Sequence, residues 1–433
     1  MFALVDANNF YCSAEQVFRP DWRGKAMVVL SNNDGCIVAA NRQAKALGIK
    51  KFVPYFQVKA LCEKHGVIAL SSNYALYGDL SMKMMQIIGR FASEQYIYSI
   101  DESFLSFKQG AKGAESDAEC IDMGRHIRRA VWKEARLPVS VGMGETLTLA
   151  KLANHVAKII PEYSGVCVID SAEKRLNLLK QVPVGEVWGI GRKSAKKLID
   201  MGVNSAYDLS RLFHHQAYNT PNKLLAFGFN IEVSRIIAEL NGETVKEWGK
   251  VHVDKQQVFS TRSLGERIVN DFDALCQALC LHLDIAAVKM RQQQSSCLQL
   301  LVFAMSSPHD THSRAFKVLH TFERPVSSSL ELSAAVKRLA PRLYHKGVRY
   351  YKVGVGLMDL VSRHHQQLDM FSPMLEHPNL MPVYDKLNQR FGRGTLFVAA
   401  QGTRESRSHW TMRRAYLTPQ YTTDWRSLPI IHC

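Results

Sequence analysis

Short apolar runs alternate with helical-period stretches through the first 165 residues of this chain. Strands are predicted at Phe2–Asp6, Met27–Leu30, Val67–Leu70, Tyr96–Phe107, Val139–Gly142 and Val166–Ile169. A helix over Asn41–Leu47 stops at Gly48, and another from about Leu147 to Ile159 ends before Pro161. This alternation fits an α/β or an α+β fold. Beyond residue 183 the pattern turns helical and basic, and Asn241–Asp254 reads as a polar linker. A mixed segment follows, with a helix near Asp271–Met290 and strands near Ser296–Phe303 and Tyr350–Leu357. From Asp359 onward Ser, His, Gln and Pro accumulate, which predicts a partly irregular tail.

Three acids interrupt the apolar runs. Asp6 ends the first, and Asp101 with Glu102 divides the fourth. An ionised carboxylate at the end of a buried strand is costly unless a cation compensates it. Surface acids at strand ends are the plainer alternative. Oxygen-only donors otherwise suit hard Mg2+-like ions, two of which can stabilise the attacking and leaving oxygens of a phosphoryl transfer. Successive residues of a straight strand face opposite ways, so a joint role for Asp101 and Glu102 requires a bend between the flanking runs. In the Leu147–Ile159 helix, Leu149, Leu152, Ala153 and Val156 form the buried stripe. Lys151 and Lys158 share another side, either as a solvated face or as phosphate ligands if that side borders the acids.

Composition narrows the partner. The 433 residues suit two to four domains, and 55 Lys and Arg against 39 acids leave a net charge of +16. Such an excess favours a polyanion. No apolar run approaches the roughly 20 residues of a membrane span, and the first residues lack the pattern of a secretion signal. Nine scattered cysteines, without paired CxxC sets, point to reduced thiols in the cytoplasm.

Several motifs carry chemistry. Val187-Trp188-Gly189-Ile190-Gly191-Arg192-Lys193 precedes Ser194-Ala195-Lys196-Lys197-Leu198-Ile199, in which Ala195, Leu198 and Ile199 are expected to face inward. Its glycines and helix N-terminus form a seat for backbone phosphate, as in a helix-hairpin-helix element. Gly189–Ser194 is too short for a P-loop, and Gly142–Leu147 lacks the third glycine of a dinucleotide fingerprint. Phe10-Tyr11 follows Asp6 closely enough to wall the sugar of a bound nucleotide, or else packs in the core. Gln367-Leu368-Asp369-Met370-Phe371 lies in the polar tail, where an apolar cluster suits docking into a groove.

Together these motifs resemble the Y-family translesion DNA polymerases. More narrowly, the chain is similar to their UmuC branch, the catalytic subunits of bacterial DNA polymerase V and plasmid-borne relatives. The resemblance rests on Phe2–Asp6, Leu30–Cys36, Ala44–Gly48, Ser71–Tyr74, Tyr98–Glu102, Leu147–Asn154, Val187–Gly191, Gly392–Thr395 and Tyr421–Thr423. It implies an α+β, multidomain right-hand polymerase with a mixed-sheet palm (1–12 and 75–165), small fingers (13–74) and a helical thumb (166–240). A linker (241–254), an α/β little finger (255–358) and a C-terminal tail (359–433) complete it.

The same resemblance implies error-prone addition of dNTPs to a primer 3′ end opposite damaged template, in SOS mutagenesis. Asp6, Asp101, Glu102 and the carbonyl of Ala7 would hold two Mg2+ ions. Tyr11 would be the steric gate against a ribose 2′-hydroxyl, with Phe10 beside it. Lys45 and Lys158 would hold the triphosphate, with Lys151 a weaker candidate. Gly189, Gly191, Arg192, Lys193 and Lys196 would grip primer-template DNA. Gln367–Phe371 would dock on the sliding clamp, with Met370 in place of the usual leucine. A processed UmuD-like accessory dimer and a recombinase filament are implied partners. Departures are Ser103 for alanine, Phe52 for glycine and Arg42 for an aromatic residue. The competing readings are a non-catalytic DNA-binding scaffold, which predicts broken metal ligands, and a metal-dependent nuclease, which has little use for Tyr11.

Overall fold

The computed structural model describes residues 1–107, 117–212, 227–246, 254–363, 379–403 and 410–428. The chain divides into two compact units, Met1–Val251 with Ala415–Cys433, and His252–Arg414.

In chain order the first unit contains β1 (Phe2–Ala7), α1 (Phe10–Phe18), β2 (Met27–Leu30), β3 (Ile37–Ala40), α2 (Arg42–Ala46), α3 (Tyr55–Lys64) and β4 (Ile68–Ser71). It continues with α4 (Tyr74–Gly89), β5 (Glu94–Ile97), β6 (Glu102–Ser106), α5 (Asp117–Ala135), β7 (Val139–Gly144), α6 (Leu147–Ile159) and β8 (Val166–Val168). The helices α7 (Ala172–Gln181), α8 (Arg192–Asp200), α9 (Ala206–Arg211) and α10 (Ile231–Leu240) follow. A mixed sheet of order β5-β6-β1-β7-β8 forms its centre, and a small sheet of order β3-β2-β4 lies beside α2 and α3.

Strand alternation decides what the central sheet offers to each side. Ala3, Val5 and Ala7 enter the core shared with α4 and α5, whereas Leu4 and Phe104 pack with Leu147 and Ala150 of α6 on the other face. With a period of two, Asp6 shares Leu4's face and Glu102 shares Phe104's. β1 and β6 are antiparallel and set Asp6 opposite Glu102, so both acids face α6. That helix lies unusually close to the sheet. A Cβ on Gly142 would meet the backbone N of Asn154 at 2.0 Å, and one on Gly144 would meet the Leu149 Cβ at 2.9 Å. The Asn154 amide donates across the gap to the carbonyls of Leu4 (3.1 Å) and Ser140 (2.8 Å).

The second unit contains β9 (Gln257–Val269), α11 (Phe272–Gln292), β10 (Ser295–Ser306), β11 (Ala315–Val326), α12 (Ser329–Leu339), β12 (Arg349–Ser362) and α13 (Leu380–Phe391). Its antiparallel sheet, order β11-β10-β12-β9, shares a core with α11 and α12. His282 of α11 is buried there, with Nδ1 3.0 Å from the Ser260 hydroxyl. Burial, and then Arg262, push its pKa down from 6.5 to about 4. Between those values the unfolded chain binds the extra proton, so the stability contributed by His282 falls as pH drops from about 6.5 to 4. The expected loss is on the order of 3 kcal/mol. Chemical denaturation of wild type and His282→Gln at pH 7 and pH 4 checks it: the stability difference between the two proteins should shift by that amount from pH 7 to pH 4.

Two expectations need correction. The run Tyr96–Phe107 is two strands, β5 and β6, joined through a turn in which Tyr98 and Ser99 N–H groups both donate to the Glu102 carbonyl (3.0 and 3.1 Å). The tail does not begin at 359, because β12 runs to Ser362 and α13 follows. Within the stretch read as a linker, the Lys246 N–H donates to Glu239 Oε1 at 2.9 Å.

Candidate active site

Asp6 and Glu102 form the centre, and α6 supplies their counterions. Lys158 Nζ lies 2.5 Å from Asp6 Oδ1, and Lys151 Nζ lies 2.8 and 2.9 Å from the two Glu102 oxygens. The two lysines, expected on one helix face, therefore border the acids directly. Burial pushes the Asp6 pKa up from 3.8 to about 7; Lys158 opposes the rise and Glu102 adds to it. Lys151 is also held by rings, 4.6 Å from Tyr98 and 5.4 Å from Trp188, while the Trp188 indole donates to the Tyr98 hydroxyl at 3.2 Å. Lys246 sits 3.8 Å over the same Trp188 ring.

Asp101 occupies the turn before β6, so the bend required of the acidic pair is present. Its carbonyl accepts from Ala7 N at 2.9 Å and its carboxylate accepts from the Ser99 hydroxyl at 2.5 Å. It is not gathered with the other two. Among the described residues no three Asp, Glu, His or Cys side chains are grouped for a metal ion. The donor chemistry nevertheless fits hard cations, since a half-buried pair of carboxylates needs positive charge and now takes it from two ammonium groups.

Beyond Asp6 the chain turns at Asn9, whose left-handed backbone (φ 48°) starts α1. Tyr11 stacks on Tyr77 at 4.5 Å and meets Tyr74 edge-on at 6.0 Å. Phe10 is buried at 3% exposure against Tyr77, so it supports Tyr11 from the core rather than flanking a nucleotide. Lys45 donates to Asn9 Oδ1 at 3.0 Å. Its pKa is lowered, first by partial burial and then by Lys51, with Lys158 adding to the fall. Sequence reasoning missed Lys51; the pair Lys50-Lys51 after Gly48 was the available signal.

The hairpin before α8 is as anticipated in part. Gly189 has φ +94°, and a Cβ there would lie 2.7 Å from Ile236. Arg192, Lys193 and Lys196 are exposed on α8, which starts at Gly191. Ala195 and Leu198 face inward, but Ile199 is 50% exposed, a correction to the expected inner face. Ser103 is fully buried with its hydroxyl accepting from Gln95 Nε2 at 3.0 Å. Phe52 has φ 66°, a conformation that glycine adopts without strain. Gln367, Leu368, Asp369, Met370 and Phe371 lie outside the described residues.

Comparison with known proteins then decides the family. The impB/mucB/samB family matches residues 5–155 and its C-terminal domain 255–370, while the family's helix-hairpin-helix motif matches 173–203. Protein UmuC of Salmonella typhimurium is 37% identical over 438 residues, covering 99% of both chains. The chain belongs to the impB/mucB/samB family, with UmuC among its relatives. Protein MucB of Escherichia coli is likewise 37% identical over 435 residues, covering 99% of each chain. DNA polymerase IV 1 of Bacillus subtilis is 25% identical over 403 residues, 90% of each. Among solved structures, a Y-family DNA polymerase chimera has a TM-score of 0.65 at 19% identity, covering 84% of this chain and all of that one. The insertion ternary complex of Dbh DNA polymerase has 0.54, also at 19% identity with the same coverage. These two show the fold of this impB/mucB/samB member. A domain of unknown function matches residues 378–431.

Proposed function

We infer that this UmuC-like enzyme is an error-prone translesion DNA polymerase of SOS mutagenesis, and that the α6 face of the central sheet is its nucleotidyl-transfer site. One observation carries the assignment of the site: Asp6 and Glu102 face each other across β1 and β6 beneath two lysines. Mg2+ ions, held by Asp6, Glu102, Asp101 and the Ala7 carbonyl, would supply activation of the primer 3′-hydroxyl and neutralisation of the leaving pyrophosphate.

The chain's own residues do the rest. Lys45 and Lys158, with Lys51 within electrostatic reach of Lys45, would attract and orient a triphosphate. Lys158 would exchange its ion pair with Asp6 for a phosphate contact. Tyr11, backed by Tyr77, presents a rigid ring against the sugar and excludes a 2′-hydroxyl. Gly189, Gly191, Arg192, Lys193 and Lys196 grip duplex backbone, so affinity should fall steeply with salt.

The domain reading is palm 1–12 and 75–165, fingers 13–74, thumb 166–240 and little finger beginning at 255. Docking of Gln367–Phe371 on the sliding clamp, and association with a UmuD-like dimer and a recombinase filament, rest on the family resemblance. A cytoplasmic location accords with free thiols among the described residues, where no helix is long and apolar enough to cross a membrane.

Primer extension on intact and abasic templates, with and without the accessory partners, tests this reading. Mg2+-dependent extension past the lesion is expected; no incorporation under any of these conditions would overturn it.

A further inference from the structure

The last described segment of the chain packs against the N-terminal unit at both predicted halves of the nucleotide pocket. The Ala415 N–H donates to Asp34 Oδ2 at 2.8 Å. Tyr416 and Ser71 exchange bonds: the Tyr416 N–H reaches the Ser71 hydroxyl at 3.0 Å, and the Ser71 N–H reaches the Tyr416 carbonyl at 3.0 Å. The Ser71 hydroxyl in turn donates to Asp34 Oδ1 at 2.6 Å. These contacts hold the 31–36 loop, in which Asn33 and Asp34 both adopt positive φ, to the end of β4.

Further along, the segment crosses to α1 and α4. The Asn73 amide, at the N-cap of α4, donates to Thr418 Oγ1 at 3.0 Å and to the Pro419 carbonyl at 3.3 Å. Tyr421 stacks on Phe18 of α1 at 4.8 Å, and the Thr422 hydroxyl donates to Asp79 of α4 at 2.5 Å. The strap therefore grips residues on both sides of the junction between 74 and 75.

Two short routes run from the strap to Tyr11. Asn73 is followed by Tyr74, whose ring meets Tyr11 edge-on. Glu15 is fully buried on α1 and accepts from the Tyr77 hydroxyl at 2.7 Å, and Tyr77 is the ring on which Tyr11 stacks. Burial pushes the Glu15 pKa up to about 7, opposed by the Tyr77 hydroxyl. The Tyr77 N–H also donates to the Asn73 carbonyl at 3.0 Å, so Asn73, held by Thr418, stands where both routes begin.

We propose that Ala415–Thr422 is a positioning strap of the nucleotide site, setting the rings of Tyr74 and Tyr77 that hold Tyr11 and thereby tuning sugar selection. The proposal rests on the reading of Tyr11 as the gate. Thr418 is a positioning residue, since it acts through Asn73 and touches no substrate in this scheme.

The test compares kcat/KM for dNTP and rNTP on one primed template, with the melting temperature of each full-length protein. Thr418→Val should lower the deoxyribose preference about three- to tenfold, the effect of losing one hydrogen bond, chiefly through KM. Thr418→Ser should restore it. Thr422→Ala, at an exposed position, should move the ratio in the same direction, and it decides the matter if Thr418→Val does not fold. Tyr11→Ala serves as the reference. If it collapses the preference while the folded strap variants leave it unchanged, the strap proposal is overturned and the gate stands. If Tyr11→Ala itself changes nothing, the gate reading fails and the proposal fails with it.

Discussion

Asp101→Ala is expected to lower primer extension at least about a thousandfold, the scale of removing a group that stabilises charge in a transition state. DNA affinity should change less than about twofold, because backbone contacts dominate it. The structure explains why the fold should survive. The bond that ties the turn to β1 runs from the Ala7 N–H to the Asp101 carbonyl, which alanine keeps. The side chain is held by the Ser99 hydroxyl alone among the bonds described, so little packing is lost. Asp6 and Glu102 would retain their lysines. Extension assays with fluorescence anisotropy on the same primed template separate the two effects. Wild-type extension by this variant would remove Asp101 from the site.

Gly142→Val should cost roughly 3 kcal/mol or more of stability, at or above the upper range for overpacking. A Cβ at 142 would meet Asn154 N at 2.0 Å and the Ala150 carbonyl oxygen at 2.4 Å. Both are backbone atoms of α6, which no rotamer change can move aside. The helix would have to lift from the sheet, breaking the Asn154 bonds to Leu4 and Ser140. It would also draw Lys151 and Lys158 away from Glu102 and Asp6, so activity should fall with stability. Gly78→Ala is the matched control. It lies within α4 with nothing near the added Cβ, and a gain of about 0.5–1 kcal/mol is expected from helix propensity. Urea denaturation of the two variants measures the contrast. Equal stabilities would show that α6 does not depend on the bare strand at Gly142.

The two glycines of Gly142-Met143-Gly144 show how local reading can stop short. As a motif they fail the dinucleotide pattern, and that dismissal stands. Their role is steric: they let α6 settle on β7. No spacing rule announces it, because the atoms that demand glycine belong to the next element. The aromatic pair Phe10-Tyr11 divides similarly. Adjacent positions on a helix face different ways, so one ring enters the core while its neighbour stacks on Tyr77.

The sequence by itself determined β1, β7 and β8 of the central sheet through apolar runs, and the acids through their interruption of such runs. It also determined the helical register that puts Lys151 and Lys158 on one side of α6. A charge inside an apolar run is costly wherever the chain folds, so such signals survive without coordinates. Only the tertiary structure decided that Asp6 meets Lys158 and Glu102 meets Lys151, because pairing depends on strand register and on how near α6 lies. Only it brought Lys51 within electrostatic reach of Lys45. Thr418 and Asn73 lie 345 residues apart, and their contact follows from the return of the chain to its first unit, which no local pattern encodes.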